Sequence, residues 1–192
     1  ERALGGRRAN FAALGRLRHE IGWPEGADCV CADLGVSSMQ IDDPARGFGF
    51  KEDGPLDMRM HPGHGLSAAQ WLARASAAEL AAVLRENADE PHAQAIARAL
   101  GDGGGTPSTT RALAEAVRRA LPGELAPEEA ERSVRRTFQA LRIEVNRELE
   151  ALEAWLRGLP ACLRRGGRVA VLTFHSGEDR RVKQAFRAGL RG

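Results

Sequence analysis

Two places in the chain put hydrogen-bonding side chains beside backbone that can come close to a ligand. The first is Asp33, which closes the apolar run Cys29–Ala32 and is followed by Gly35 and the Ser37–Ser38 pair. The second is His175-Ser176-Gly177, which closes the apolar run Val169–Phe174. A short apolar run bounded by turn residues predicts a buried strand. In open α/β sheets ligands bind in the crevice past the carboxyl ends of the strands. An acid at one strand end and an imidazole at another therefore point to a ligand site. Asp33 offers acceptor oxygens, Gly35 lets backbone approach, and His175 can take up a proton. A plainer duty competes at each position. An Asp after a strand can cap the next element, and a His can simply hold a loop backbone.

Between these places lies a long loop dense in Gly, Asp and Pro, with Phe48, Phe50, Leu56, Met58 and Met60 as apolar plugs. Loops of that length inside a compact domain are usually functional. Phe48 and Phe50 have faces on which bases can stack, with loop anchoring as the plainer duty. His61 and His64 offer two imidazoles near Asp57, but no further ligands follow at matching spacing, which argues against a zinc centre. Cys29 and Cys31 share one strand face and are expected to pack as small hydrophobes. Gly103-Gly104-Gly105 reads as a linker, since no strand precedes it and no Gly-Lys-Ser/Thr follows. Arg142 and Asn146, four apart, share a helix face from which they can order the loop.

The elements that must position these residues follow from periodicity and caps. Asn10 caps a helix bearing Phe11, Leu14, Leu17 and Ile21. After the first strand and the loop come four short helices. Ser67 caps the first, Ser76 with Glu79 forms a capping box on the second, the third spans 91–100, and Thr109 or Thr110 caps the fourth. From Pro127 a single long helix is expected, its stripe running Phe138, Leu141, Val145, Leu149, Leu152 and Trp155 until Gly158–Pro160 breaks it. A turn at 165–167, the strand Val169–Phe174 and a last helix from Glu178 complete the order. Two apolar strands separated by helical crossovers predict a parallel α/β sheet, with Asp33 and His175 on one edge. Four helices exceed what a crossover needs and predict an inserted helical subdomain. The expected division is core at 1–46, loop and insertion at 47–134, and core again at 135–192.

Composition, 43% hydrophobic and 28% charged over 192 residues, is that of an ordinary soluble domain. No apolar run is long enough for a membrane span, and no signal peptide precedes the first helix. Three cysteines are too few for a disulfide framework and suit a reducing, cytoplasmic setting. A net charge of +2 says little, but the end of the chain is richer. Arg164, Arg165, Arg168, Arg180, Arg181, Lys183, Arg187 and Arg191 there face only Glu178 and Asp179, which fits either phosphate contact or a solvated helix face.

Three stretches carry a family likeness: D-L-G-V-S-S-M-Q-I-D-D-P-A-R-G-F-G-F with D-G-P-L-D-M-R-M after it, R-T-F-Q-A-L-R-I-E-V-N-R-E-L, and G-G-R-V-A-V-L-T-F-H-S-G-E-D-R. In this order they closely resemble the bacterial small-subunit ribosomal RNA cytosine-N4 methyltransferases, the RsmH (MraW) family. The resemblance covers most of the chain and is weakest over 101–133. It implies a Rossmann-like core with a partial parallel sheet, an all-helical insertion that recognises RNA, and S-adenosyl-L-methionine as cofactor. It further implies transfer of a methyl group to N4 of a cytidine in 16S ribosomal RNA, with the assembled small subunit as partner. On this reading Phe11, Asp33 and Gln40 contact the cofactor. Asp33, Ser37, Ser38 and His175 serve the chemistry, with contact of Asp33 to cofactor or to cytosine left open. Arg46, Phe48, Phe50, Asp57, Arg59, Asn146 and Ser176 serve the substrate. The family carries a Gly-Gly-His loop before the matched region and further strands after it, so the chain reads as an interior piece, inactive alone. The alternative is a non-catalytic RNA-binding or assembly fragment. Gly177 stands where the family usually has Leu, and the oligomeric state, homodimer included, is left open.

Overall fold

A computed structural model describes residues 5–7, 9–101 and 105–190. In chain order the elements are α1 (Leu14–Glu20), β1 (Ala27–Asp33), α2 (Ser38–Ile41) and α3 (Ala68–Leu72). Next come α4 (Ala77–Ala88), α5 (Ala93–Gly101), α6 (Thr110–Ala120) and α7 (Pro127–Asn146). The last are α8 (Glu148–Cys162), β2 (Leu163–Leu172) and α9 (Ser176–Gly189). They fall into two compact units, Glu1–Gly35 with Glu148–Gly192, and Val36–Arg147.

The first unit is α/β. Asn10 starts a 3-10 turn, Phe11–Ala13, by accepting from the Ala12 amide, and the turn runs into α1. β1 and β2 pair in parallel, with Cys29 opposite Arg168 and Asp33 opposite Leu172. This is the parallel arrangement expected of a Rossmann-like core. Val30, Ala32, Val169 and Val171 pack onto Leu152, Trp155, Leu156, Leu159 and Val182 from α8 and α9. The alternate residues Cys29, Cys31, Arg168, Ala170 and Leu172 are exposed. The expectation of buried strands, with Cys29 and Cys31 packed as small hydrophobes, is thus corrected: among the described residues these strands are covered on one face only, and both cysteines lie on the open one. A continuous apolar run does not say how many layers cover it.

β2 also starts earlier than the apolar run suggested. Its register jumps from Ala27↔Leu163 to Cys29↔Arg168, so the expected turn at 165–167 is an irregularity inside the strand. Pro160, expected to break the preceding helix, lies inside α8 near its end, and the helix continues to Cys162. The Arg18 guanidinium donates to the Ala161 carbonyl at 2.6 Å, serving an orphan carbonyl of that terminus.

The second unit is helical. The four short helices appear as expected, as α3 to α6, with capping boxes Ser67/Gln70 and Ser76/Glu79 and Thr109 as the cap of α6. The third begins at Ala93 rather than 91. Leu84, Ile96, Leu113, Val117, Val134 and Leu141 fill the core, joined by Leu56 and Met58 from the long loop. Glu90 is also buried there, accepting from Ser133 Oγ and the His92 amide, both at 2.9 Å. The Gly-rich linker reading falls partly on residues 102–104, outside the described residues.

One long helix was expected from Pro127, and the structure corrects it to two. Arg147 adopts a left-handed conformation (φ 50, ψ 43) and its amide caps α7 on the Glu144 and Ile143 carbonyls. The single apolar stripe is shared out, with Phe138 and Leu141 in one core and Leu152, Trp155 and Leu156 in the other. Among the described residues no helix is long and apolar enough to cross a membrane.

Candidate active site

The parallel register brings the ends of β1 and β2 to the same edge. Asp33 pairs with Leu172, and the Leu34 amide donates to the Leu172 carbonyl at 3.3 Å. Asp33 is exposed, and its carboxylate makes no hydrogen bond or ion pair among the described residues. Phe174 lies beside Gly35 with 68% of its surface exposed. His175 behaves differently. Its side chain is only 7% exposed, and Nε2 lies 3.3 Å from Glu178 Oε1. The other Glu178 oxygen accepts from the Phe174 amide at 2.8 Å. Ser176, exposed, opens α9. Phe11 sits in its 3-10 turn with its ring edge-on to Trp155, centroids 6.0 Å apart. Asp33, Phe11, His175 and Ser176 therefore all belong to the α/β unit.

The remaining expected site residues belong to the helical unit, and most of them hold the long loop to itself. Ser37 forms a capping box at the start of α2: its Oγ accepts from the Gln40 amide, and Gln40 Oε1 accepts from the Ser37 amide at 3.0 Å. Gln40 thus spends its carbonyl oxygen on the cap, while Ser38 is exposed as the first residue of α2. Gly47 and Gly54 let two passes of the loop touch backbone to backbone; a Cβ on either would run into the Pro55 or Pro44 carbonyl. Arg46 donates to the Arg59 and Met60 carbonyls at 2.9 and 3.2 Å, its guanidinium 5.6 Å from the Phe48 ring centroid.

Asp57 and Arg59 form a bidentate pair, both contacts 2.8 Å, and Asp57 also accepts from the Arg59 amide. Hydrogen bonding from the Arg59 side chain holds the Asp57 carboxyl below its ordinary range, against a smaller opposing effect of burial. Asn146 accepts from the Met60 amide and donates to the Met58 carbonyl, both at 2.7 Å. Met58 itself is left-handed, φ 59, and fully buried. The geometry gives Arg46, Asp57, Arg59 and Asn146 one shared task, fixing an irregular backbone.

Phe48 and Phe50 line the floor of a cavity of about 790 Å³. Phe50 packs on Phe138 with centroids 4.9 Å apart. Lys51, Arg135, Gln139 and Arg142 bring polar groups to its walls, as do Asp42, Glu52 and Glu131. Glu131 is already paired with Arg118 at 2.7 Å. The residues missed from sequence here are Arg135, Phe138 and Gln139. Their signal was the spacing Arg135, Phe138, Gln139, Arg142, a single face of α7. The His61 and His64 rings lie 5.3 Å apart, but the described residues contain no cluster of three or more groups able to hold a metal.

Similarity to known proteins bears on both units. The description MraW methylase family belongs to a family model that matches residues 3–191. The ribosomal RNA small subunit methyltransferase H 1 of Agathobacter rectalis is 46% identical over 188 residues, covering 95% of this chain and 53% of that protein. The ribosomal RNA small subunit methyltransferase H of Halorhodospira halophila is 51% identical over 182 residues, covering 93% and 55%. The protein of the same name from Myxococcus xanthus is 48% identical over 183 residues, covering 95% and 58%. The chain spans about half the length of the curated relatives it matches. With the long loop, its bracing residues and the strand-end edge all inside the matched span, the chain belongs to the MraW methylase family.

Proposed function

We propose that the chain carries the methyl-transfer edge and the RNA-recognition unit of an enzyme that methylates N4 of a cytidine in small-subunit ribosomal RNA, with the assembled small subunit as its partner in the cytoplasm. The observation that supports this most directly is the parallel register that sets Asp33 level with the end of β2. S-adenosylmethionine, the methyl donor of this reading, supplies an electrophilic methyl group on a sulfonium centre.

The residues at the edge fit such a donor. Asp33 presents an exposed carboxylate at a strand end, and Phe174 an exposed ring beside Gly35. The nitrogen lone pair of cytosine N4 is delocalised into the ring, so the main catalytic task is to hold that nitrogen in line with the methyl carbon. With the donor bound, N4 would take the methyl carbon, the carbon–sulfur electron pair would stay with sulfur, and the amine would shed one proton. A carboxylate accepting an N–H hydrogen bond stabilises the positive charge that builds on nitrogen. We assign that acceptor to Asp33.

RNA contact falls to the helical unit. The cavity over Phe48, Phe50 and Phe138 has room for a nucleotide, with Lys51 and Arg135 on its walls for phosphate. The braced loop gives this surface a fixed shape before RNA arrives, which lowers the ordering cost of binding.

The test is a segment exchange. The matched segment of the Halorhodospira halophila relative is replaced by these 192 residues, and small subunits treated with the chimaera are digested to nucleosides and weighed. N4-methylcytidine is expected from the chimaera, and the Asp33→Ala version should lose about a hundredfold or more in rate, the scale of one lost electrostatic stabiliser. Equal product from both would remove Asp33 from the site. RNA binding without any product would favour the binding-only reading.

A further inference from the structure

We propose that His175 is a positioning residue, stowed against Gly177 and Glu178, and that Gly177 decides which side chain the end of β2 presents to the candidate site. The inference rests on the reading of that strand end as the active edge. Neighbours in sequence are treated oppositely there: Phe174 is 68% exposed, whereas the side chain of His175 is 93% buried by its 7% exposure.

Two contacts fix the imidazole. On one side Glu178, itself buried, divides its carboxylate between the ring and the backbone. Oε1 lies 3.3 Å from His175 Nε2, and Oε2 accepts from the Phe174 amide at 2.8 Å. A buried carboxylate is costly unless hydrogen-bonded, and the Phe174 amide bond ties the strand exit to the first turn of α9 while the other oxygen packs beside Nε2 without hydrogen-bonding it. On the other side the ring lies directly over Gly177. A Cβ on that residue would stand 3.1 Å from Nδ1 and 3.2 Å from Cε1. The slot exists because residue 177 has no side chain.

The consequence is chemical. Both imidazole nitrogens are buried without a hydrogen-bond partner, so in this arrangement neither is open to a substrate amine. His175 instead holds the loop that presents Phe174 and Ser176. A side chain at position 177 displaces the ring, and a large one drives it to a different rotamer. Alanine asks for a displacement of a few tenths of an ångström, and leucine evicts the ring.

Diethyl pyrocarbonate labelling of the 192-residue chain, read by peptide mass spectrometry, tests this, with exposed His61 and His64 as internal standards. His175 should label about tenfold more slowly than either, as a group reached only through local opening. Gly177→Leu should bring it within about threefold of them, and Glu178→Gln should also speed it, both by easing that opening. Labelling of wild-type His175 at the rate of His61 overturns the proposal, and so does a folded Gly177→Leu chain in which His175 stays protected. If Gly177→Leu loses its helical circular dichroism, Gly177→Ala replaces it, read by the imidazole ¹⁵N shifts of His175. Movement of those shifts supports the slot, and unchanged shifts reject it. In the chimaera, His175→Gln should leave the pH dependence of kcat in place, whereas a proton-accepting His175 would remove an ionisation from it. Labelling reports exposure alone. A protected ring with an inactive chimaera therefore rejects only the methyl-transfer reading, and an exposed ring with an active chimaera rejects only this one.

Discussion

Asp57 and Asn146 show how single residues can serve a site by holding backbone. Asp57 is held ionised by Arg59, so its folded pKa lies below the ordinary value of 3.8. A carboxyl lowered on folding stabilises the folded state above its unfolded pKa, and that contribution fades as pH falls through the folded value. Asp57→Asn should therefore cost about 1–2 kcal/mol at neutral pH, the scale of charge-assisted bonds discounted for a partly exposed pair. The difference from wild type should shrink in acid below pH 4, and urea unfolding at several pH values measures both. A cost unchanged in acid would mean that the Asp57–Arg59 charge pair contributes nothing. Asn146→Ala should be worse at all pH values, about 2–3 kcal/mol, because it strands a partly buried amide and a carbonyl of the loop. A melting temperature within a degree of wild type would show that the loop finds other partners.

At the scale of elements, legibility followed chemistry that is local. Ser67 with Gln70 and Ser76 with Glu79 declare their helices because a cap needs only residues three apart. The parallel pairing of two apolar runs was readable from the helices between them. Arg147 was not, since a left-handed arginine inside an unbroken 3.6-residue stripe leaves no compositional mark. The sidedness of β1 was hidden for a related reason: Cys29, Val30, Cys31 and Ala32 are all small and apolar, and which pair is covered depends on helices far away in sequence. Asp33 was found at its strand end, whereas the stowing of His175 depends on a contact with Gly177 that no pattern announces. The open face has a direct test. Cys29 and Cys31 are exposed and Cys162 is buried, so a thiol reagent added to the folded chain should modify two sulfurs quickly and the third only on unfolding. Protection of Cys29 and Cys31 in the monomer would mean that this face is covered.

For the whole molecule, the division into two units has unequal consequences. The α/β unit is assembled from two separated lengths of chain, so neither length carries its parallel pair alone. The helical unit is one uninterrupted length, Val36–Arg147, with its own core, its own buried Glu90–Ser133 bond and a loop braced by partners inside the same length. One Glu90 oxygen, Oε2, is buried there without a hydrogen bond, its nearest cation being Arg136 at 3.9 Å. A length of chain that fills its own core and braces its own loop still has what independent folding requires. Residues 36–147 expressed alone should give a helical circular dichroism spectrum and a single cooperative urea transition, and a broad, non-cooperative loss of signal would sink this. The same piece should bind single-stranded RNA with an affinity that falls as salt rises, since phosphate contacts release counterions. Arg135→Ala should weaken that binding and lower the salt slope by about one contact. If the slope stays the same while affinity falls, Arg135 acts through the shape of the cavity and the phosphate contact lies elsewhere on the unit.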